Sequence, residues 1–291
     1  MRAIPSVPPS PGALPLSAST ALLHSAWRRA RRGPPSLWLA WLVLATVALF
    51  ALAPGLLTHY SPVQGVAGQQ LQAPGAAHWL GTDALGRDVY TRVVYGAVHS
   101  LSGAFVAVAM GLVLGTLLGL VAGASGGLVD DAIMRLVDVL LSVPALLLSL
   151  AIIIILGFGT INAAIAVGVA SIAGFARLLR SEVVRVRRSE YVEAAFGSGG
   201  RFWPVLWRHV LPNSLTSVIA LAALQFGSAI LAISTLGFLG YGAPPPTPEW
   251  GLLIAEGRNY IATAWWLTTV PGLVVVLAAN HISAALARGR A

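Results

Sequence analysis

Two side chains that often carry covalent chemistry, cysteine and lysine, are absent from this sequence. It has no cysteine, which excludes disulfides, thiol catalysis and cysteine-ligated metals. All eighteen basic residues are arginine. Without lysine the chain cannot supply the lysine of a phosphate-binding loop, so any ATP hydrolysis belongs to another polypeptide. His59, His78, His99, His209 and His281 are scattered, and their spacing defines no metal site. What remains is the chemistry of ion pairs and of docking. Asp83/Arg87 and Asp88/Arg92 stand at i, i+4 in the favourable acid-first order. Thr82 or Asp83 is placed to cap a short helix there, with Leu85, Val89 and Val93 as its apolar stripe. The second region is residues 193–213, EAAFGSGGRFWPVLWRHVLPN. Arg177, Arg180, Arg185, Arg187, Arg188, Arg201 and Arg208 crowd it and its approach. Yet Phe202, Val205, Leu206 and His209 fall at i, i+3, i+4 and i+7, one face of a helix, with Trp203 and Trp207 beside it. A basic connecting loop needs no patterned apolar face, so this one is expected to dock on another protein. Ser198-Gly199-Gly200 reads as a turn that small residues make tightly. Pro204 suits a first helical turn, and Glu193 is placed at a helix end where it can pair with an arginine.

The elements that position these residues are membrane spans. The chain is 57% hydrophobic and 10% charged, against roughly 45–50% and 25% for a soluble domain. Residues 1–36 are rich in Pro and Ser and read as a disordered tail. A first span is expected over 37–57, retained rather than cleaved because Pro54 directly follows the Ala51-Leu52-Ala53 signal-like site. A polar connection, 59–96, leads to a second span over 101–123. There Gly103, Ala107, Gly111, Gly115, Gly119 and Gly123 recur every four residues, a ridge that lets helices approach backbone to backbone. Asp130, Asp131, Arg135 and Asp138 mark a short wet connection to a third span, 139–157, which Pro144 should kink with Ser142 satisfying a freed backbone group. A fourth span is expected over 162–179, a fifth over 215–239, a second wet loop over 240–265 and a last span over 266–286.

Six spans put both termini on one side. Fifteen arginines lie on that side together with the 193–213 region, and only Arg87, Arg92 and Arg258 on the other. By the positive-inside rule the termini are expected in the cytoplasm. The net charge of +8 therefore reflects membrane topology, not nucleic-acid binding. No Asp, Glu or Arg falls in the middle of a span, which disfavours proton-coupled carriers and voltage sensors. The interior offers Ser142, Asn162, Ser171, Gln225, Ser228, Ser234 and Thr235, expected mainly as helix–helix hydrogen-bonding groups.

Glu193-Ala194-Ala195, then Gly199, then Leu211-Pro212 resembles the EAA loop of ATP-binding-cassette (ABC) importer permeases. Arg208-His209-Val210-Leu211-Pro212-Asn213 looks like the peptide and nickel branch. Gly81-Thr82-Asp83 with Gly86-Arg87-Asp88 resembles a second signature of that branch, as does the stretch from Pro244 to Arg258. The resemblance covers residues 37–280 and implies an all-α integral membrane protein with six transmembrane helices and the type I ABC importer permease fold. Its organisation would be a cytoplasmic tail (1–36), a first helix with an extracytoplasmic segment (37–96) and a five-helix permease core (97–291) with a coupling loop at 185–213. It implies that Glu193, Ala194, Ala195, Gly199, Phe202, Val205, Leu206, His209, Leu211 and Pro212 couple the chain to an ATPase. The implied partners are a homologous permease, two cytoplasmic ATPase subunits or domains and an extracytoplasmic solute-binding protein. ATP and Mg would sit on the ATPases, and this chain would carry neither cofactor nor catalysis. Peptides are the expected solute; nickel or another chelate is the alternative, and an ATP-independent channel or carrier the remaining one. Two departures weaken transfer of substrate identity: Ile233 stands where the family often has Glu, and Ser283 to Arg288 replaces an acidic C-terminal run.

Overall fold

Asp88 sets the start of the helix on which the fold is assembled. In the computed structural model, which describes residues 35–288, its Oδ2 accepts both the Thr91 backbone N–H and the Thr91 hydroxyl at 2.7 Å. That is an N-cap. The helix it opens, Val89–Ser125 (α2), is preceded by Pro35–Leu52 (α1) and followed by Gly127–Ser142 (α3), Ala145–Leu156 (α4) and Thr160–Arg187 (α5). Glu190–Gly197 (α6), Phe202–Phe238 (α7), Trp250–Gly257 (α8) and Trp266–Arg288 (α9) complete the order. From Ala40 onward the chain forms one compact unit. The tail of residues 1–34, with its arginine cluster, lies outside the described residues, as does Arg290.

The glycine ridge is the seam of that unit. A Cβ on Gly115 would stand 2.5 Å from Phe175 Cβ and 2.6 Å from the Ile172 carbonyl, and one on Gly119 would stand 2.5 Å from the Ala176 carbonyl. α2 and α5 therefore touch backbone to backbone, as small residues every four positions require. Arg187, at the end of α5, donates to the Gly123 and Ala124 carbonyls at 2.8 and 2.7 Å. A cation thus closes the free C-terminal carbonyls of α2.

Four helices, α2, α5, α7 and α9, are long and apolar enough to cross a membrane. α3 and α4 meet at 94° across a short break and supply a fifth span when the pair is counted as one. The apolar part of α1, Trp38–Leu52, is shorter than the four spanning helices. Phe105, Leu117, Leu147, Ile155 and Leu273 stand exposed on the outer faces, where hydrocarbon rather than water would surround them.

Several expectations about the connections are corrected. Pro144 does not kink a continuous helix; it caps α4 after a full break, and Ser142 Oγ donates within α3 to the Val139 carbonyl at 2.7 Å. The acidic stretch 130–138 is a helix, not a wet connection, because α5 runs on to Arg187 and offers it partners. Arg180 Nε binds Asp130 Oδ1 at 3.0 Å, and Arg177 pairs with Asp138. The stretch 240–265 is not simply wet either. It folds back as α8, burying Trp250, whose indole N–H donates to the Val93 carbonyl at 2.9 Å.

Candidate functional site

At one end of the bundle the EAA residues build a helical hairpin. α6 begins after Ser189 with Glu190 and Glu193 in its first turn, where carboxylates suit the helix dipole. Its end explains the spacing of Ala195 and Gly199. The Gly200 N–H returns to the Ala195 carbonyl and the Gly199 N–H to the Phe196 carbonyl, both at 3.0 Å. This is the Schellman pattern, which needs a left-handed residue four places after the first acceptor. Gly199 fills it with φ +87°. The space around Gly199 is open; the crowded position is Gly200, where a Cβ would lie 2.5 Å from the Ala195 carbonyl and 2.8 Å from Val205 Cγ2. Glu193 and Ala194 are exposed, and Glu193 forms no ion pair among the described residues.

The expected docking face divides in two. Val205 and Leu206 are each 3% exposed, turned inward with Val210 into the chain's own core. Half-exposed Phe202 and half-buried His209 border them. The exposed surface belongs instead to Trp203 (65%) and Trp207 (56%), at i, i+4 on the other side of the same helix. Their spacing was available in the sequence, but apolar periodicity alone does not say which face meets the protein's own core. Next to them the helix adopts a π turn over Leu206–Val210. Pro212 has no N–H to offer the preceding turn, and side chains replace the missing donors nearby. Asn213 Nδ2 donates to the His209 carbonyl at 2.6 Å, and Ser214 Oγ to the Val210 carbonyl at 2.9 Å. Leu211-Pro212-Asn213 is thus the device that carries α7 through its bulge without a break.

At the other end, the second signature forms a knot of ion pairs. No short helix forms at 82–88; Thr82 and Asp88 bridge as antiparallel backbone, with Gly81 and Gly86 both at φ +75°. Thr82 Oγ1 donates to the Gln69 carbonyl at 2.5 Å, and its own carbonyl accepts the Trp266 indole N–H at 3.3 Å. Asp83 accepts Arg87 Nε at 2.6 Å, as expected of that pair. The Asp88/Arg92 pair does not form. Asp88, already the cap of α2, binds His78 Nδ1 at 2.9 Å. Arg92 instead reaches Glu256 Oε2 at 3.0 Å and Asp83 Oδ2 at 3.4 Å, while Arg87 Nη2 reaches the same Glu256 oxygen at 3.1 Å. Two buried guanidiniums between two carboxylates satisfy the rule that buried charges be paired. A cavity of about 260 Å³ opens beside them. Glu256 stands in the last turn of α8, so the knot ties the 59–88 segment and the start of α2 to the 240–265 segment.

Among the described residues no three His, Asp or Glu side chains are grouped to hold a metal ion. The described residues thus form an apolar helical bundle with an aromatic hairpin at one end and an ion-paired knot at the other. The chain belongs to the family described as "Binding-protein-dependent transport system inner membrane component", whose model matches residues 115–290. The dipeptide transport system permease protein of Alkalihalophilus pseudofirmus is 40% identical over 244 residues, 83% of this chain and 80% of that protein. A probable D,D-dipeptide transport system permease protein of Escherichia coli is 39% identical over 240 residues, covering 82% and 80%. A glutathione transport system permease protein of Escherichia coli is 38% identical over 258 residues, covering 87% and 84%. An inward-facing structure of the MetNI methionine ABC transporter matches with TM-score 0.51 and 22% identity, over 67% of this chain and 96% of that one. The fold is that of a type I ABC importer permease, and the chain is the membrane-embedded permease component of such an importer.

Proposed function

We propose that this chain is one of two homologous permease subunits of a peptide importer, coupled through its 185–213 region to two cytoplasmic ATPase subunits or domains. ATP and Mg bind on those partners, and an extracytoplasmic solute-binding protein delivers the peptide. The observation that carries the reading is the placement of Trp203 and Trp207. They project from the first turns of a helix that continues unbroken for 37 residues, from Phe202 to Phe238. A push on the aromatic tip is therefore delivered to the far end of a membrane-spanning rod. Glu193, Ala194, Ala195 and Gly199 shape the supporting hairpin; Val205, Leu206 and Leu211 anchor it from inside; Phe202, His209 and Pro212 flank the aromatic pair. Large aromatic side chains are the usual anchors of protein interfaces. The arginine distribution supports a cytoplasmic location for this end and for both termini, with the knot of Gly81, Thr82, Asp83, Gly86, Arg87 and Asp88 facing the solute-binding protein. The named activities of the relatives, on dipeptides and glutathione, support a small peptide as solute.

The reading is tested by reconstituting the complete complex in vesicles with its loaded binding protein. Uptake of a small peptide should require ATP and stimulate its hydrolysis. Uptake that proceeds equally without nucleotide would identify a channel or carrier instead.

A further inference from the structure

Midway through the bundle, α2, α4, α5 and α7 surround a cavity of about 310 Å³, within the range of small-molecule sites. Ser149, Ser171, Gln225, Ser228 and Thr235 line it together with apolar side chains such as Val108 and Leu231. The polar residues do not bind one another across the helices. Ser149, Ser171, Ser228 and Thr235 each donate to a carbonyl of their own helix, at 2.9, 2.8, 3.4 and 2.8 Å. Their protons are spent, and their oxygens remain as acceptors. Gln225 differs: its amide has no hydrogen-bond partner among the described residues although it is half-buried in a spanning helix. An unpaired amide facing hydrocarbon costs several kcal/mol, so this one must meet water, a solute or both.

We propose that this cavity is the chain's solute-contact site, and that Gln225 is its specificity-determining residue, recognising the peptide unit of a short peptide. The inference rests on the importer reading above. The chemistry selects the class. Four hydroxyl oxygens accept from N–H donors, and the Gln225 amide supplies both a donor for a peptide carbonyl or carboxylate and an acceptor for a peptide N–H. The apolar part of the wall takes side chains without regard to their identity. No charged residue lines the cavity, so net charge of the solute is not what it reads. Leu146 and Leu231 stand exposed at its margin, so the cavity opens on the side of the chain, where the homologous permease closes it.

The natural absence of cysteine makes the test direct. In the purified complete complex, Gln225→Cys and Ser228→Cys should react with a charged, membrane-impermeant methanethiosulfonate to an extent that changes with bound nucleotide. Leu273→Cys, on the outer face of α9, should not react. Uptake is then measured at saturating loaded binding protein with alanyl-alanine, alanyl-glutamate and alanyl-lysine. Gln225→Leu should lower uptake of all three by about three- to ten-fold, the worth of one hydrogen bond. Gln225→Glu should restore uptake of alanyl-lysine and depress alanyl-glutamate, a charge selectivity absent from the parent. A Gln225→Cys that never reacts, or a Gln225→Glu that treats the three peptides alike, overturns the assignment. Nucleotide-dependent labelling of Gln225→Cys, alongside a parent complex that takes up no peptide, would instead remove the peptide-importer reading, and the solute assigned to the cavity with it.

Discussion

Gly199 and Gly200 show how much a two-residue turn decides here. Gly199 supplies the left-handed conformation and Gly200 the room against Ala195 and Val205. Gly199→Val forces a β-branched residue to φ +87°, a strain of about 1–3 kcal/mol. Spare space around the position does not relieve it. The spans should still insert, but peptide-stimulated ATP hydrolysis should fall sharply, whereas Gly199→Asn, which tolerates that conformation, should retain most of it. Equal activity of the two variants would show that the cap does not hold the hairpin in its working shape. The turn was legible because glycine signals its own backbone requirement. The neighbouring face was not. Phe202, Val205, Leu206 and His209 do form one stripe, but Val205 and Leu206 are buried in the chain itself, and periodicity cannot say which body a stripe is buried against. A charge at Leu206 would unfold the hairpin from within and report nothing about a partner.

Among the elements, the α2–α5 seam was the most readable, because only a close helix contact explains small residues at every fourth place. Gly115→Leu has no soft neighbour to displace: its Cβ would meet Phe175 Cβ and the Ile172 carbonyl. Overpacking of this kind costs about 1–3 kcal/mol. Yield and melting temperature of the purified chain should drop, while Leu117→Ala on the exposed side of the same helix should leave both unchanged. The α8 connection was far less readable, since its prolines and Glu249 suggest a wet loop. Glu249 is in fact fully buried against Gly237 and Gly242, with one oxygen unpartnered. Burial raises its pKa to about 7, opposed only by backbone N–H groups of Gly251 and Ala243. A carboxyl whose folded pKa lies above its unfolded value favours folding in its neutral form. This contribution is complete below about pH 4.5 and is lost as pH rises through about 7. The melting temperature should therefore fall between pH 5.5 and 8.5, and Glu249→Gln should flatten that slope. A Glu249→Gln profile parallel to the parent would show that another group titrates.

At the scale of the whole molecule, the sequence conveyed the helical membrane class, the arginine asymmetry and both signature regions, each of which depends on residue type and spacing. It did not convey the 94° break between α3 and α4 or the long-range pairs Arg87–Glu256 and Arg92–Glu256, which exist only once distant segments are folded together. What unites the two ends is α7, a single rod whose exposed Trp203 and Trp207 are spare to the chain's own core. The most direct measurement is purification of the complete complex carrying Trp203→Asp and Trp207→Asp. Both side chains are exposed, so the chain should keep its yield and melting temperature. A carboxylate at an interfacial aromatic anchor costs about 2 kcal/mol or more per site, so affinity for the ATPase subunits should fall by at least about 100-fold and peptide-stimulated hydrolysis should vanish. Retention of the ATPase subunits with full peptide stimulation would contradict the coupling role assigned to this end of α7.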